Sequence, residues 1–262
     1  MLVFLQQKDL AELPALQPSG WTDIVPYFEF YLSSPFCKPV KIVQNNVIVG
    51  LGNAILLGET GWLSHILVHP EKRNLGIGGE ITRALVDILK GEKCSTLLLL
   101  ATELGEPVYR KTGFQPELRY LFFRNGKAIN DAPVLSAFSS GFESVICDMD
   151  RRISGENRQQ LLIPHLNKAK LVIENNVVTG CYLPSLGEGL IIADTEHAGI
   201  TLLNERHKTL QKTAVPETNL AAIAFLQKQS FEQFSQGTRM YLGKKIVWQP
   251  ERLYSRVGGN LG

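Results

Sequence analysis

The sequence predicts an α+β fold with mixed α/β layers, in which one structural unit occurs twice. Strand patterns of period two alternate with helix patterns of period 3.6 in the first half of the chain. Short landmarks of that half recur in the second half in the same order. The composition, 44% hydrophobic and 20% charged over 262 residues, supplies enough apolar material for a core.

The first copy is predicted to contain five strands and two helices. Apolar residues between 77 and 90 recur at the spacing of an amphipathic helix, and Gly91 suits the end of that helix. Residues 95–101 are apolar on both faces, which is typical of a central strand covered by helices. In chain order we predict strands at 40–44, 47–57 and 61–68, a helix at 77–90, a strand at 95–101, a helix at about 105–112 and a strand at 118–124.

The clearest repeated landmark is a tight hairpin. Asn45-Asn46 lies between β-branched residues, and Asn175-Asn176 lies in the same context 130 residues later. Such a pair indicates a two-residue turn that needs positive φ. Two further landmarks recur in order: Gly58-Glu59 as Gly187-Glu188, and the segment 109–114 as 226–231.

The repeat predicts two units and a connector. We expect the first unit at residues 1–125, a helical connector at 126–168 and the second unit at 169–262. Within the connector, residues 132–141 are loop-like. The segments 143–153 and 156–166 are helical in pattern, with Pro164 ending or kinking the second of them.

Composition excludes several classes of function. Lys plus Arg is 27 and Asp plus Glu is 25, so the net charge of +2 gives no electrostatic reason to bind nucleic acid. No apolar run approaches the roughly 18–20 residues of a membrane helix, and the N-terminus does not resemble a secretory signal. The four cysteines are scattered without a C-x-x-C pair, which predicts neither a metal site nor disulfides. We therefore expect a cytoplasmic protein without membrane partners.

The strongest chemical signal is a glycine-rich turn between the third strand and the following helix. Glycines let backbone N–H groups approach a ligand, and a helix N-terminus adds unpaired donors and partial positive charge, so such a turn binds phosphate groups. The dinucleotide fingerprint does not fit, because its third glycine would fall at Ile81. The P-loop does not fit either, because Gly126-Lys127 is followed by Ala128. The remaining pattern is Arg-x-x-Gly-x-Gly, from Arg73 to Gly78.

This pattern resembles a known family. The motif V-x-P-x-x-R-x-x-G-x-G, from Val68 to Gly78, looks like the pyrophosphate-binding loop of the GNAT superfamily of acyl-CoA-dependent N-acyltransferases. The segment Tyr109 to Phe114 is similar to the second motif of that superfamily. The two motifs together cover about residues 40–124. The resemblance implies tandem GNAT-like units, each a central mixed sheet flanked by helices.

The second half resembles the degenerate second GNAT unit of a two-domain subgroup. The residues that carry this resemblance are Asp150, Gly155 and Arg158 in the connector, Arg239-Met240, and the segment Gln249 to Tyr254.

The resemblance implies acetyl-CoA as the cofactor and assigns residues to it. Backbone groups of Leu67 and Val68 would pair with the pantetheine arm. The alternatives are that the glycines only make a sharp turn and that Arg73 is a solvated surface charge. The implied cofactor-binding residues are Leu67, Val68, Arg73, Asn74, Leu75, Gly76, Ile77, Gly78, Gly79 and Tyr109.

Tyr109 has two interpretations. By resemblance it lies near the sulfur of coenzyme A and protonates the departing thiolate as a general acid. The alternative is a helix aromatic that packs on the sheet and was selected for its amphipathic edge.

The general base is not evident from the sequence. The family usually places Glu or His on the third strand at positions that are Trp62 and Ser64 here. Strict alternation puts residues 62, 64, 66 and 68 on one face and His65 on the other, unless a β-bulge redirects it. His65 is a catalytic candidate or a hydrogen-bonded core histidine. The other possibilities are a water relay through Ser64, a base such as Glu59 or one from the second unit, and an acceptor that needs no base.

The second copy lacks the glycine-rich turn. Its equivalent begins Glu196-His197-Ala198-Gly199, and a carboxylate with fewer backbone donors makes a poor anion site. We expect this copy not to hold coenzyme A. One possibility is that it forms one side of an acceptor cleft, where a cationic amine meets Glu196, His197 or Glu217. The other is that it serves only as a scaffold.

The implied function is that of an N-acetyltransferase. An acetyl group passes from acetyl-CoA to a primary amine of a small-molecule acceptor by direct attack, with no metal. One alternative is a catalytically silent acyl-CoA-binding or regulatory module, favoured by the missing base. The other is a protein or peptide N-acetyltransferase.

Overall fold

Two compact units account for the chain. Unit 1 contains residues 1–115 and 240–245, and unit 2 contains residues 116–239 and 246–262. The computed structural model describes residues 1–18, 20, 21, 23–128, 130 and 133–261. None of the helices in this described part is long and apolar enough to cross a membrane.

Thirteen strands and seven α-helices are found in the described residues. The strands are β1 (Leu2–Phe4), β2 (Cys37–Gln44), β3 (Val47–Leu57), β4 (Thr60–Val68), β5 (Thr96–Ala101), β6 (Gln115–Arg124), β7 (Ser136–Ala137), β8 (Lys170–Glu174), β9 (Val177–Leu183), β10 (Leu190–Ala193), β11 (Lys212–Pro216), β12 (Glu232–Gly243) and β13 (Leu253–Ser255). The α-helices are α1 (Val25–Ser33), α2 (Ile77–Gly91), α3 (Glu106–Lys111), α4 (Glu143–Ser154), α5 (Gln159–Leu162), α6 (Glu196–His207) and α7 (Leu220–Lys228). Short 3-10 helices cover Gln7–Leu16, Pro70–Lys72, Ser140–Phe142, Ile163–Lys168 and Pro250–Arg252.

Unit 1 is built on a mixed sheet. Its strands follow the order β1-β2-β3-β4-β5, with antiparallel pairs up to β4 and a parallel pair between β4 and β5. Beyond β5 lie the last residues of β12, which belong to this unit, and Lys244 N donates to Ser95 O at 2.9 Å. Helix α2 covers one face of the sheet with a stripe of apolar side chains that are at most 4% exposed: Ile77, Ile81, Leu85 and Leu89.

Unit 2 has two groups of strands. One antiparallel sheet has the order β13-β10-β9-β8-β7. In the other, β6 lies between β11 and β12, and β6 is antiparallel to β11. Helices α6 and α7 contribute fully buried residues to the core, among them Leu202, Leu203 and Leu226.

The residues of the connector form a buried ion pair in unit 2. Asp150 on α4 is 1% exposed and accepts from Arg158 Nε at 3.1 Å. Between them, Gly155 ends α4 with a φ of +73°, and a Cβ at this position would lie 2.5 Å from Val247 O. The ion pair and the close packing therefore explain why Asp150, Gly155 and Arg158 occur in this segment.

The duplication is visible in equivalent backbone details. Both Asn-Asn turns have positive φ: 50° and 61° at Asn45 and Asn46, and 50° and 63° at Asn175 and Asn176. The equivalence extends to the end of each copy, where Phe114 N donates to Tyr109 O at 3.1 Å and Phe231 N donates to Leu226 O at 2.9 Å. The two copies thus share a fold down to individual turns.

The predicted fold class is confirmed, because helices flank sheets in both units. The sheet of unit 1 is mixed, whereas the pairs described for unit 2 are antiparallel. The segment 156–166 is less helical than expected, since α5 spans four residues and a 3-10 helix that contains Pro164 follows it. The expected loop at 132–141 contains β7 and the start of a 3-10 turn, and its first residue, Ala132, lies outside the described residues. The expected boundaries at 125 and 168 stay a prediction.

Candidate functional site

In unit 1, strands β4 and β5 pair over only part of their length. The parallel ladder runs from Thr60 opposite Thr96 to Trp62 opposite Leu98. Past Trp62, the described residues form no further pair between these strands, and Leu67 and Val68 pair only with β3. One edge of β4 near its C-terminal end is therefore open, with backbone donors and acceptors that a ligand can use.

A β-bulge interrupts β4 at His65. Asn53 pairs with Ser64 and Leu51 pairs with Leu67, so two residues of β4 stand opposite one residue of β3. His65 has a φ of +46°, in the left-handed region. The bulge is the feature that strict alternation could not include.

The bulge changes which residues share a face. Leu63, Ile66 and Val68 all pack in the apolar cluster that contains α2. The prediction that residues 62, 64, 66 and 68 lie on one face was therefore wrong, because the extra residue resets the alternation after Ser64. His65 instead lies among the aromatic rings of helix α1.

The imidazole of His65 is surrounded by aromatic side chains. Its Nδ1 lies 2.7 Å from the hydroxyl of Tyr31. Ring centroids of Tyr27, Phe28 and Trp21 lie 4.8, 5.8 and 6.2 Å from that of His65. Burial lowers the pKa of His65 to about 4, so the ring is neutral at neutral pH.

Ser64 and Trp62, at the positions where a base was sought, are buried. Ser64 is 3% exposed, and its Oγ accepts from Asn53 Nδ2 at 3.2 Å and donates to Asn53 O at 3.4 Å. Trp62 is 1% exposed. Glu59 is exposed in the turn before β4, nine residues before Val68, which is about 30 Å along a strand. Of these candidates, only His65 lies beside the open edge of β4 with part of its side chain exposed.

The glycine-rich turn has the geometry of an anion site. Gly76 precedes α2 with a φ of +82°, which only glycine adopts without strain, and Asn74 has a φ of +63°. The first ladder bond of the helix is from Glu80 N to Gly76 O, at 3.0 Å, and no side chain caps the helix. The backbone N–H groups of residues 77–79 are thus left for a ligand.

The glycines of this turn are not explained by packing within the chain. A Cβ at Gly78 would meet only Val68 Cγ2, at 3.7 Å, and a Cβ at Gly76 would meet nothing within 4 Å. By contrast, a Cβ at Gly50 on β3 would lie 2.7 Å from Ile81 Cδ1, so that glycine is needed for helix packing. The space above Gly78 is open for a group that a side chain would exclude.

Two arginines lie beside this turn. Arg73 is exposed, and its Nε donates to Val68 O at 3.4 Å, which keeps the guanidinium near the end of β4. The exposed Arg83 was not singled out in the sequence, and its Nη1 lies 3.4 Å from where a Cβ of Gly79 would be. Its position four residues after Gly79, one helical turn along α2, was the signal that could have indicated it. Leu75 is 67% exposed at the same turn.

Tyr109 lies on α3 and is half-buried. Its ring packs against the α2 cluster and stands edge-on to Phe114 at 6.3 Å between centroids. Burial raises the pKa of its phenol to about 12, so it keeps its proton at neutral pH. The equivalent residue of unit 2 is Leu226, which is fully buried.

In unit 2 the equivalent gap between strands is filled by the chain itself. Strands β10 and β11, the counterparts of β4 and β5, belong to different sheets. Strand β13 pairs with β10, Ile191 opposite Ser255, and also packs against β11. The ring of Tyr254 covers the start of α6, because a Cβ at Gly199 would lie only 2.2 Å from it.

The start of α6 is also capped by side chains. Thr195 Oγ1 accepts from Ala198 N at 3.2 Å, and Glu174 contacts both Thr195 Oγ1 and His197 Nδ1 at 2.9 Å. Glu217 contacts Arg119 at 2.8 Å. His197 and Glu217, two of the residues expected to meet a cationic amine, therefore already have partners within unit 2.

Comparisons with known proteins agree with this arrangement. The model of the acetyltransferase (GNAT) family matches residues 5–114, and a second model, an acetyltransferase (GNAT) domain, matches residues 146–255. The chain belongs to the GNAT acetyltransferase family. The two matches agree with the two-unit arrangement that the repeat predicted.

Solved structures share the tandem GNAT fold. A presumed acetyltransferase from Pyrococcus horikoshii is 20% identical with a TM-score of 0.85, over 100% of this chain and 95% of that one. A GCN5-related N-acetyltransferase from Sphaerobacter thermophilus is 11% identical with a TM-score of 0.66, over 95% and 97% of the two chains. A tandem GNAT protein from the clavulanic acid biosynthesis pathway is 12% identical with a TM-score of 0.59, over 93% and 98%. A search of curated proteins gives no match.

Proposed function

We propose that unit 1 binds acetyl-CoA and transfers its acetyl group to a primary amine of a small-molecule acceptor. The observation that carries the proposal is the open edge of β4, from Ser64 to Val68, leading to an uncapped helix start with open space above Gly78. An extended amide-containing arm can pair with such an edge like an added strand. A diphosphate suits the N–H groups of residues 77–79.

The residues present fit this cofactor. A phosphate oxygen needs backbone donors without a Cβ in the way, which Gly76, Gly78 and Gly79 provide. Arg73 and Arg83 add positive charge on either side of the turn. Backbone groups of Leu67 and Val68 would bind the pantetheine amides. The remaining residues of the turn are uncharged and would contact the cofactor without an ionic interaction: Asn74, Leu75 and Ile77.

The chemistry at this edge requires two proton movements. Bound acetyl-CoA supplies the activated acyl carbon. The amine nitrogen forms a bond to that carbon, the carbon–sulfur bond breaks, the nitrogen loses a proton and the sulfur gains one. Tyr109 is protonated at neutral pH and would supply the proton to the sulfur. A backbone N–H of β4 would stabilise the oxyanion.

For the proton that leaves nitrogen, His65 is the candidate that we favour. It is neutral at neutral pH and lies at the bulge beside the open edge. Ser64 remains available for a water relay, although its hydroxyl already bonds to Asn53. Glu59 is remote from the glycine turn and is the weakest of the three.

The test is turnover by the full-length protein with acetyl-CoA and a panel of primary amines, measured as release of free thiol. We expect thiol release that depends on the amine and is lost in Gly78→Glu. Binding of acetyl-CoA without thiol release for every amine would favour the silent binding module. Release only with a peptide N-terminus would favour the protein acetyltransferase.

A further inference from the structure

The aromatic residues around His65 suggest which amines unit 1 accepts. Tyr31 and Phe28 are fully buried and contact the imidazole, whereas Trp21 is 45% exposed and Tyr27 is 37% exposed. The exposed pair thus leaves aromatic surface next to the one ring of β4 that has a proton-accepting nitrogen. We call Trp21 and Tyr27 the aromatic wall.

The low basicity of His65 favours an acceptor amine that arrives without a charge. Burial is the cause that lowers the pKa of His65. The carboxylates nearest to the wall in the sequence are those of Asp23 and Glu29, and both are exposed. The titratable groups whose rings contact the imidazole are the phenols of Tyr27 and Tyr31. An imidazole with so low a pKa is a weak base for an ammonium ion, whereas an amine that is already neutral does not have to lose a proton before attack.

We propose that Trp21 and Tyr27 bind the ring of an aromatic amine that is neutral at neutral pH, and that they present its amino group to His65. This inference rests on the proposed function. Offset-stacked and edge-to-face contacts with two aromatic side chains favour a flat ring over an aliphatic one. Arylamines enter uncharged, so no deprotonation of an ammonium ion is needed before attack.

The contact with Tyr31 makes His65 suited to this acceptor. In the tautomer that carries its proton on Nδ1, the imidazole donates to Tyr31 Oη and the other nitrogen, Nε2, has a lone pair. The proposal assigns this tautomer to His65. After the carbon–nitrogen bond forms, the nitrogen is positively charged and strongly acidic, since an aryl group withdraws electrons. Even a weakly basic imidazole can then accept the proton from nitrogen, and the proton for the sulfur comes from Tyr109.

Three amines of similar size separate the contributions of ring and charge. p-Toluidine is aromatic and neutral at neutral pH, benzylamine is aromatic and cationic, and cyclohexylamine is aliphatic and cationic. We expect kcat/KM of the full-length protein to fall in that order. If cyclohexylamine is acetylated as well as p-toluidine, or if none of the three is acetylated while acetyl-CoA binds, the aromatic-amine inference is wrong.

A matched pair of variants on α1 tests the wall itself. Tyr27→Leu removes a ring that contacts His65, and Phe30→Leu removes a similarly exposed ring that contacts Tyr31 and Phe36 instead. Tyr27→Leu and Trp21→Leu should each raise KM for p-toluidine about 3–10-fold, the value of one aromatic contact, and leave KM for acetyl-CoA unchanged. Phe30→Leu should change either constant less than about twofold.

Titration with acetyl-CoA keeps the two proposals apart. Failure of the wild-type protein to bind acetyl-CoA would overturn the proposed function. Binding of acetyl-CoA and turnover of other amines, with Tyr27→Leu and Phe30→Leu behaving alike, would overturn only the aromatic wall.

Discussion

The same gap between two strands is open in unit 1 and filled in unit 2. In unit 1, β4 and β5 pair only as far as Trp62, and past that residue β4 pairs with β3 alone among the described strands. In unit 2, β13 pairs with β10 and packs against β11, so a strand of the chain lies where a ligand would lie in unit 1. The comparison teaches that two GNAT units can keep the same sheet and helices while a strand of the chain fills, in one of them, the gap that is open in the other.

The start of the helix that follows the gap also differs between the two units, α2 in unit 1 and α6 in unit 2. Glycines that allow the helix to pack on the sheet are kept in both units, because a Cβ at Gly50 or Gly180 would lie 2.7 or 2.9 Å from the helix side chains. Glycines that leave space for an anion occur only in unit 1, and α6 begins instead with the side-chain cap of Thr195. Helix packing accounts for Gly50 and Gly180, whereas our proposal accounts for Gly76, Gly78 and Gly79 by ligand binding.

The largest expected effect concerns the end of each copy, where unit 1 has Tyr109 and unit 2 has Leu226. Tyr109→Phe should lower kcat about 100-fold, because the phenol is the only proton source proposed for the thiolate. Affinity for acetyl-CoA, measured by titration, should stay within about twofold. An unchanged kcat would leave Tyr109 with a packing role only, equivalent to that of Leu226.

The second prediction makes one substitution in the first turn of both helices. Gly199→Ala places a Cβ within 2.2 Å of the Tyr254 ring and should destabilise the protein by about 2–3 kcal/mol. Gly78→Ala meets only Val68 at 3.7 Å and should change stability by less than about 1 kcal/mol. Urea unfolding measures both.

Its control is a double variant. Gly199→Ala with Tyr254→Leu should be no less stable than Tyr254→Leu alone, because the clash is already relieved. Equal costs for Gly199→Ala and Gly78→Ala would mean that β13 does not fill the gap in unit 2.

The third prediction concerns the pH dependence of stability that a buried histidine gives to each unit. Burial lowers the pKa of His65 and of His207 to about 4, from an ordinary value of 6.5. The unfolded chain therefore binds protons more readily, and each histidine contributes stability that is present above pH 6.5 and is lost as the pH falls toward 4. The loss at pH 5 is about 2 kcal/mol for each group.

His207→Gln should abolish the part of this pH dependence that belongs to unit 2. Unfolding midpoints in urea at pH 7 and pH 5 should differ less in the variant than in the wild-type protein. A variant with the same or a steeper loss would show that His207 is not the responsible group.

The smallest effect is expected at the arginines. Arg73→Gln should weaken acetyl-CoA binding about 3–10-fold, more strongly at low salt, because the side chain is exposed and its attraction is screened. Arg252→Gln in unit 2 is the control, since Arg252 bonds to Asp194 rather than to a ligand, and it should leave binding unchanged. If both substitutions weakened acetyl-CoA binding equally, the proposal that only unit 1 binds the cofactor would lose this support.

Local signals predicted much of this molecule. The Asn45-Asn46 hairpin, helix α2 and the glycine turn were predicted within a few residues, because turn chemistry and helical periodicity act over short stretches of chain. The second unit was recognised for the same reason, through Asn175-Asn176.

Features that depend on distant residues were not predicted. The bulge at His65 exists because of how β4 aligns with Asn53 on β3, and a sequence pattern does not contain that register. The position of β13 depends on pairing with β10, about 60 residues earlier in the chain. The motif that contains Tyr254 therefore did not predict that its ring packs against Gly199.

The central claim is that unit 1 alone binds acetyl-CoA, through backbone groups of its glycine turn. Isothermal titration of the wild-type protein, Gly78→Glu and His197→Gln tests it, because residues 78 and 197 are the second residues of α2 and α6. We predict one site per chain in the wild-type protein and in His197→Gln. We also predict at least about 100-fold weaker binding in a folded Gly78→Glu, in which a carboxylate enters the anion site. Two sites per chain, or binding that survives Gly78→Glu, would contradict the account.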